Sequence, residues 1–101
     1  MPQFDVLRMR GSAISPFVVD VQADVHSKLA TRIVVPMIPR TRYTQPATRL
    51  TPITRFRDDD YVLIVPFMAS VAKTTLGEVV GSIAAERANL IAAMDLLIAG
   101  S

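Results

Sequence analysis

Few side chains in this sequence are equipped for chemistry. The single histidine, His26, lies in the polar run Asp24-Val25-His26-Ser27-Lys28, and there is no cysteine. Zinc sites draw on several Cys, His and carboxylate ligands, so one imidazole supplies no metal centre. The absence of Cys removes thiolate nucleophiles and disulfides together. No GxSxG elbow accompanies His26 to build a serine triad, and no glycine-rich phosphate loop is present. Asp58, Asp59 and Asp60 form a carboxylate triplet. Hard cations need several oxygens converging on one point, whereas consecutive strand residues face opposite sides. The triplet therefore reads as a turn, where short acidic side chains bond nearby backbone N–H groups. Glu78, Glu86 and Arg87 are acid–base types beside or on the last element, and capping or solvation accounts for them equally well. No metal, no cofactor and no catalytic group is expected.

Charge is more informative than reactivity. The net charge is only +2, yet six arginines (Arg32, Arg40, Arg42, Arg49, Arg55, Arg57) and no acid fall between Thr31 and Arg57. A basic middle suits an acidic partner, either nucleic acid or an acidic peptide. Single-stranded nucleic acid also calls for exposed rings on which bases stack. Only Tyr43, Phe56 and Tyr61 lie near, so direct nucleic-acid binding is not expected.

The elements that must position these residues come next. At 101 residues with half of them hydrophobic, the chain is one domain, residues 1–101. A chain this size buries only about two-thirds of its unfolded surface. With no Trp, the core rests on Val, Ile, Leu, Met and Ala. The segments QFDVLRM, FVVDVQAD and TRIVVPMIP are β-branched or alternating and read as strands, with a turn at Gly11–Ser12. Residues 39–52 carry three prolines and read as a long exposed excursion. TPITRFRDDDYVLIV reads as a hairpin, and the apolar YVLIVPF as a strand buried on both sides. From Ser82 to Ile98 no Pro or Gly interrupts an Ala- and Leu-rich run. That predicts a helix with Ser82 as N-cap and Gly100 as its stop. Its apolar residues spread round more than one face, which implies cover on more than one face. A second copy of the chain is the simplest cover, with Met94, Leu97 and Ile98 at the contact. The N-terminus, with an acid and two arginines, is unlike a signal peptide. The C-terminal apolar run is shorter than the ~20 residues a bilayer span needs. A soluble, cytoplasmic protein with no membrane contact is expected.

Several stretches together resemble CcdB, the toxin family of the CcdA–CcdB plasmid-maintenance pairs. They are Gln3-Phe4, VDVQAD (Val19 to Asp24), RIVVPM (Arg32 to Met37), MASV (Met68 to Val71) and LGEVV (Leu76 to Val80). The resemblance covers nearly the whole chain, with residues 39–57 matching poorly. It implies a mostly β fold: a small SH3-like barrel of antiparallel strands with one C-terminal α-helix, a shape shared with MazF toxins, in a homodimer. It implies a toxin without enzymatic activity that poisons DNA gyrase through its A subunit. Such a toxin is silenced by a CcdA-like antitoxin whose disordered C-terminal segment wraps it, and the arginine-rich middle of this chain suits an acidic segment. Arg40, Arg42 and Arg49, with Phe4, are the expected antitoxin contacts.

By family position the target-binding residues are Val25, His26, Asp95, Ala99, Gly100 and Ser101. The family ends in Trp-Gly-Ile; here that end is Ala99-Gly100-Ser101, and only the glycine is kept. Asp95 stands where the family has an Asn one helical turn earlier, and Val25 and His26 stand where it has paired isoleucines. Two other readings stay open. One is a MazF-like endoribonuclease using the arginines with Asp20, Asp24, Glu78 or His26. The other is a non-toxic relative that still binds the antitoxin.

Overall fold

The computed structural model describes residues 2–10, 16–26 and 28–100; the expected Gly11–Ser12 turn and Ser101 lie outside them. Among these residues seven antiparallel strands form one sheet, and one α-helix, α1 (Arg87–Ala99), follows. The strands are β1 (Asp5–Met9), β2 (Phe17–Asp20), β3 (Thr31–Pro39), β4 (Ile53–Phe56), β5 (Asp59–Leu63), β6 (Ala69–Ala72) and β7 (Leu76–Ser82). Their order is β4-β5-β3-β2-β1-β7, with β6 also pairing β3.

β3 is the hub. Its residues Val34–Met37 pair with β2 on one side. On the other side Thr31–Val34 pair with β6, and Met37–Pro39 pair with β5. Pro36 sits between those two ladders, where the pairing on that side is interrupted. That position suits a residue with no N–H to donate.

β1 and β2 bury both faces, which is why FVVD shows no polar alternation. Val6 and Val19, opposite one another, enter the main core with Phe4, Phe17, Val35, Met37, Leu63, Ile83 and Leu90. Leu7 and Val18, the next pair, enter a smaller cluster with Val34 and Leu76. The sheet therefore curls into a half-barrel. Its two end strands approach at a seam: a side chain at Gly81 of β7 would meet the Phe56 ring of β4 at 2.6 Å. Arg57 donates across the same seam to the Val80 carbonyl, 3.0 Å. That carbonyl belongs to the extra residue of a bulge, because Leu7 opposes Val79 and Val6 opposes Gly81. A bulged residue lacks its ladder partner, and Arg57 supplies one.

The β4–β5 hairpin forms as expected, but its corner is Arg57–Asp58, both with positive φ (53° and 66°), and Asp59 already opens β5. The two-residue type I′ turn needs this backbone to match strand twist. The buried run after Tyr61 is strand only to Leu63. Ile64 and Val65 stay buried while Val65–Phe67 turn in a 3₁₀ step towards β6. Of the exposed excursion expected over residues 39–52, residues 41–49 are mostly exposed, while Pro39 closes β3 and Thr51 is buried.

The helix starts later than the sequence suggested. Ser82 ends β7, and its Oγ accepts from the Ala84 N–H at 3.2 Å, at the entry to a 3₁₀ turn (Ala84–Glu86) that precedes α1. Gly100 does stop α1, in the left-handed region with φ 78°, its N–H bonded to the Leu96 carbonyl. Leu90 and Ala93 are buried, and Ile91 and Met94 pack against the main core. Leu97 and Ile98 remain exposed, at 38% and 74%.

Candidate functional site

The residues that carry the family resemblance build one polar network. Asp20 at the end of β2 and Arg32 at the start of β3 are both fully buried and paired. Arg32 Nε donates to Asp20 Oδ2 at 2.8 Å and Nη2 approaches the same oxygen at 2.7 Å. Asp20 Oδ1 accepts from the Gln22 N–H, 3.0 Å. Burial pushes the Asp20 carboxyl above the ordinary aspartate range, opposed by the Arg32 hydrogen bond, the Gln22 N–H and the Arg32 charge.

Gln22 carries the network outwards. Its Oε1 accepts from the Ile33 N–H, and its Nε2 donates to the His26 carbonyl at 2.8 Å. Gln3 adds its own clamp, donating through its N–H to Asp24 Oδ1 and through Nε2 to the Val21 carbonyl. The outcome is a 3₁₀ turn, Asp24–His26, pinned at its base and presenting Val25 at 81% exposure.

Among the expected target contacts, Val25 and His26 thus share one exposed turn, and Asp95, Ala99 and Gly100 share the exposed last turns of α1. Asp95 and Ala99, four residues apart in α1, lie on one helix face.

 Ser101 lies outside the described residues. Phe4 corrects an expectation: it is 2% exposed, in the main core, with φ 70°, and offers a partner no side-chain surface. Of the expected dimer contacts, Met94 is half spent on the core, while Leu97 and Ile98 face outwards.

The basic middle is less uniform than its sequence. Arg32 is consumed by Asp20. Arg57 lies over the Phe17 and Phe56 rings at 5.8 and 5.5 Å. Arg55 donates to the Asp58 carbonyl and stands 3.6 Å from Asp60. Arg40 donates to the Gln45 carbonyl, and with Arg55 it lines a cleft of about 420 Å³ shared with Asp58, Asp59, Asp60 and Tyr61. Burial, and next the Asp59 charge, push the Tyr61 hydroxyl up, with Arg57 opposing. Arg42 and Arg49 are exposed, and Arg49 lines a small pocket with Pro52, Asn89 and Ala92 between the excursion and α1.

Of the acid–base candidates, Asp20, Asp24 and His26 belong to the network just described, and Glu78 is on β7. Asp20 is sealed in its ion pair, Asp24 and His26 lie in the 3₁₀ turn, and Glu78 pairs with Arg8 on the β1–β7 surface at 2.7 Å. Among the described residues no group of three or more His, Asp or Glu side chains is placed to hold a metal. No helix among them is long and apolar enough to cross a membrane. The Asp20–Arg32 pair is the feature that sequence reasoning missed. Its signal was present: two opposite charges, each set beside an otherwise Val- and Ile-rich strand.

The family model described as CcdB protein matches residues 3–100. The chain belongs to the CcdB family. Among solved structures it is similar to an endoribonuclease in complex with its cognate antitoxin from Mycobacterial species. The two are 14% identical with a TM-score of 0.78, over 98% of this chain and 95% of that one. At that identity the likeness concerns the fold: an antiparallel half-barrel with a C-terminal helix. No curated protein matches the chain.

Proposed function

We propose that this CcdB-family protein is the toxin of a toxin–antitoxin pair. It acts in the cytoplasm as a homodimer, without enzymatic activity, by binding the DNA gyrase A subunit and trapping its complex with cleaved DNA. A CcdA-like antitoxin neutralises it. The observation that carries this reading is the family match over residues 3–100. The buried Asp20–Arg32–Gln22 network adds to it, because it spends the most family-like residues on presenting the Val25–His26 turn.

The gyrase-facing end is weakened relative to the family. A Trp anchor in a protein interface commonly contributes ~2–4 kcal/mol on truncation, roughly 30-fold to nearly 1,000-fold in affinity. Ala99 supplies almost none of that contact area. The decisive experiment is a gyrase cleavage assay with supercoiled DNA. Weak accumulation of cleaved complex is expected for the natural sequence, and an increase for Ala99→Trp combined with Ser101→Ile. If the natural sequence already traps gyrase as efficiently as a Trp-bearing relative, the anchor lies elsewhere.

The fold likeness to an endoribonuclease favours one competing reading. RNA cleavage needs a general base, a general acid and a cation on the phosphate within reach of one another. Asp20 is sealed in its ion pair with Arg32 and Glu78 is paired with Arg8, which speaks against it. Degradation of RNA by the purified protein in a metal-free assay would overturn the gyrase reading in favour of this one.

A further inference from the structure

We propose that the cleft between the end of β3 and the β4–β5 hairpin binds a free basic amino acid, its carboxylate on Arg40 and its side-chain cation between Asp58 and Asp59. None of the residues lining this cleft belongs to the Val25–His26 turn or to α1, so the site stands apart from the function proposed above.

The strand register builds the cleft. Pro39 of β3 opposes Tyr61 of β5, and Asp60 of β5 opposes Arg55 of β4. Arg40, the residue after Pro39, therefore flanks β5 on one side and Arg55 flanks it on the other. Adjacent strands lie about 4.8 Å apart, so the two arginines rise from backbones roughly 10 Å apart. The hairpin corner, with positive φ at Arg57 and Asp58, brings Asp58 and Asp59 to the same cleft. Its volume of about 420 Å³ is that of a small-molecule site.

Some of these charges are already spent. Arg55 donates to the Asp58 carbonyl and stands 3.6 Å from Asp60, so the hairpin neutralises it internally. Arg40 spends one Nη1 N–H on the Gln45 carbonyl at 3.2 Å. Its other guanidinium nitrogens, and the carboxylates of Asp58 and Asp59, have no hydrogen-bond partner among the described residues. One cation on the β3 side and two anions at the hairpin corner thus remain open. Tyr61 lines the cleft as well. It is 7% exposed, and its hydroxyl has no hydrogen-bond partner among the described residues. A largely buried hydroxyl ordinarily has a partner, and a ligand N–H in the cleft would supply one. The hydroxyl lies within the field of Asp59, whose charge adds to burial in holding its pKa up.

Charge selects the occupant. A simple amine would leave Arg40 facing a second cation, and a simple carboxylate or phosphate would face three aspartates. Specificity of this kind rests on the repelled ligands as much as on the accepted one. A metal ion fits poorly, because no three carboxylates among the described residues are placed to hold one. A basic amino acid satisfies both walls. Its single net positive charge also offsets the one net negative charge left by three aspartates and two arginines. Arginine suits the aspartate wall best, since a guanidinium donates to carboxylates through two parallel N–H groups.

The test is isothermal titration calorimetry of the full chain with arginine and with agmatine, its decarboxylated form. Arginine should bind about tenfold tighter or more, as expected for one charged hydrogen bond. Arg40→Met should abolish that preference without weakening agmatine, and Asp59→Asn should weaken both ligands. A second readout distinguishes the cleft from general charge attraction. In a Tyr43→Phe chain Tyr61 is the one tyrosine left. A guanidinium seated beside Asp59 offsets the charge that holds the Tyr61 hydroxyl up. Saturating arginine should therefore move the phenolate absorbance titration to lower pH, and should not move it once Asp59→Asn is added. The site is overturned if arginine gives no saturable heat, if agmatine binds the natural chain as tightly, or if the Tyr61 titration ignores saturating arginine. Neither readout involves gyrase or an antitoxin. Failure here leaves the toxin reading standing, and failure of that reading leaves this site.

Discussion

At the residue scale the buried Asp20–Arg32 pair dominates. Two charges removed from water are tolerable only while they face each other, and removing one partner from such a pair costs ~3–5 kcal/mol. Asp20→Asn and Arg32→Met should each lower stability by about that much in urea unfolding. Asp20→Leu combined with Arg32→Met should recover most of the loss, because an apolar pair of similar volume leaves no orphaned charge. Equal damage in the double variant would show that the network's links to Gln22, rather than the charges, hold this corner. Tyr61 gives a pH signature. Burial raises its hydroxyl pKa in the folded chain, so the folded state keeps a proton that the unfolded state releases. Its contribution is level below the ordinary tyrosine value near ~10 and is lost as pH rises above it. The urea midpoint should therefore fall more steeply above pH ~10 in the natural protein than in Tyr61→Phe. Parallel curves would remove Tyr61 from the alkaline transition.

At the element scale the seam between β4 and β7 is the sensitive joint. The Phe56 ring lies edge-on to Phe17 and Tyr61, with centroids 5.6 and 6.2 Å away, so it cannot retreat freely from a new Cβ at Gly81. Gly81→Ala should cost ~1–3 kcal/mol, the usual range for overpacking. Phe56→Leu in the same chain should return part of it, and thermal unfolding of the three variants would show whether it does. Elements fixed by their own residues were legible in the sequence. Thr31–Pro39 is a β-branched run and forms a strand over that span. Gly100 stops α1 because only a left-handed residue closes it there. Elements fixed by distant partners were not legible. Ser82 looked like an N-cap but is held in β7 by pairing with Asp5. The six arginines looked like one basic surface, yet Arg32 is neutralised across two strands and Arg57 folds back over aromatic rings. The engagement of Asp20 and Glu78 by arginines likewise emerges only from the topology. The second bulge of β7, where Gly77 and Glu78 face Arg8, left no mark beyond a glycine.

For the whole molecule the expected second copy has a narrower footprint than the helix sequence suggested. Met94 is turned partly into the core, so a charge there would damage the fold as well as any contact. Ile98 is the better probe. The natural chain should sediment as a dimer at micromolar concentration through an interface of ordinary size, roughly 1,200–2,000 Å². Ile98→Asp should yield a folded monomer; a natural chain that stays monomeric at high micromolar concentration would refute the dimer. The sheet order has a consequence for how the protein is made. β1 pairs with β2 at once, but its other edge waits for β7, the last strand to leave the ribosome. At ~5–20 residues per second, that edge and the apolar face destined for α1 stay open for seconds. Long-range pairing of this kind is slow and exposed to misassociation. A ribosome stalled after β6 would therefore hold a nascent chain with an unsealed barrel, open to chaperones and proteases and unable to act on any target. Production of active protein would then be governed by completion of β7 and α1.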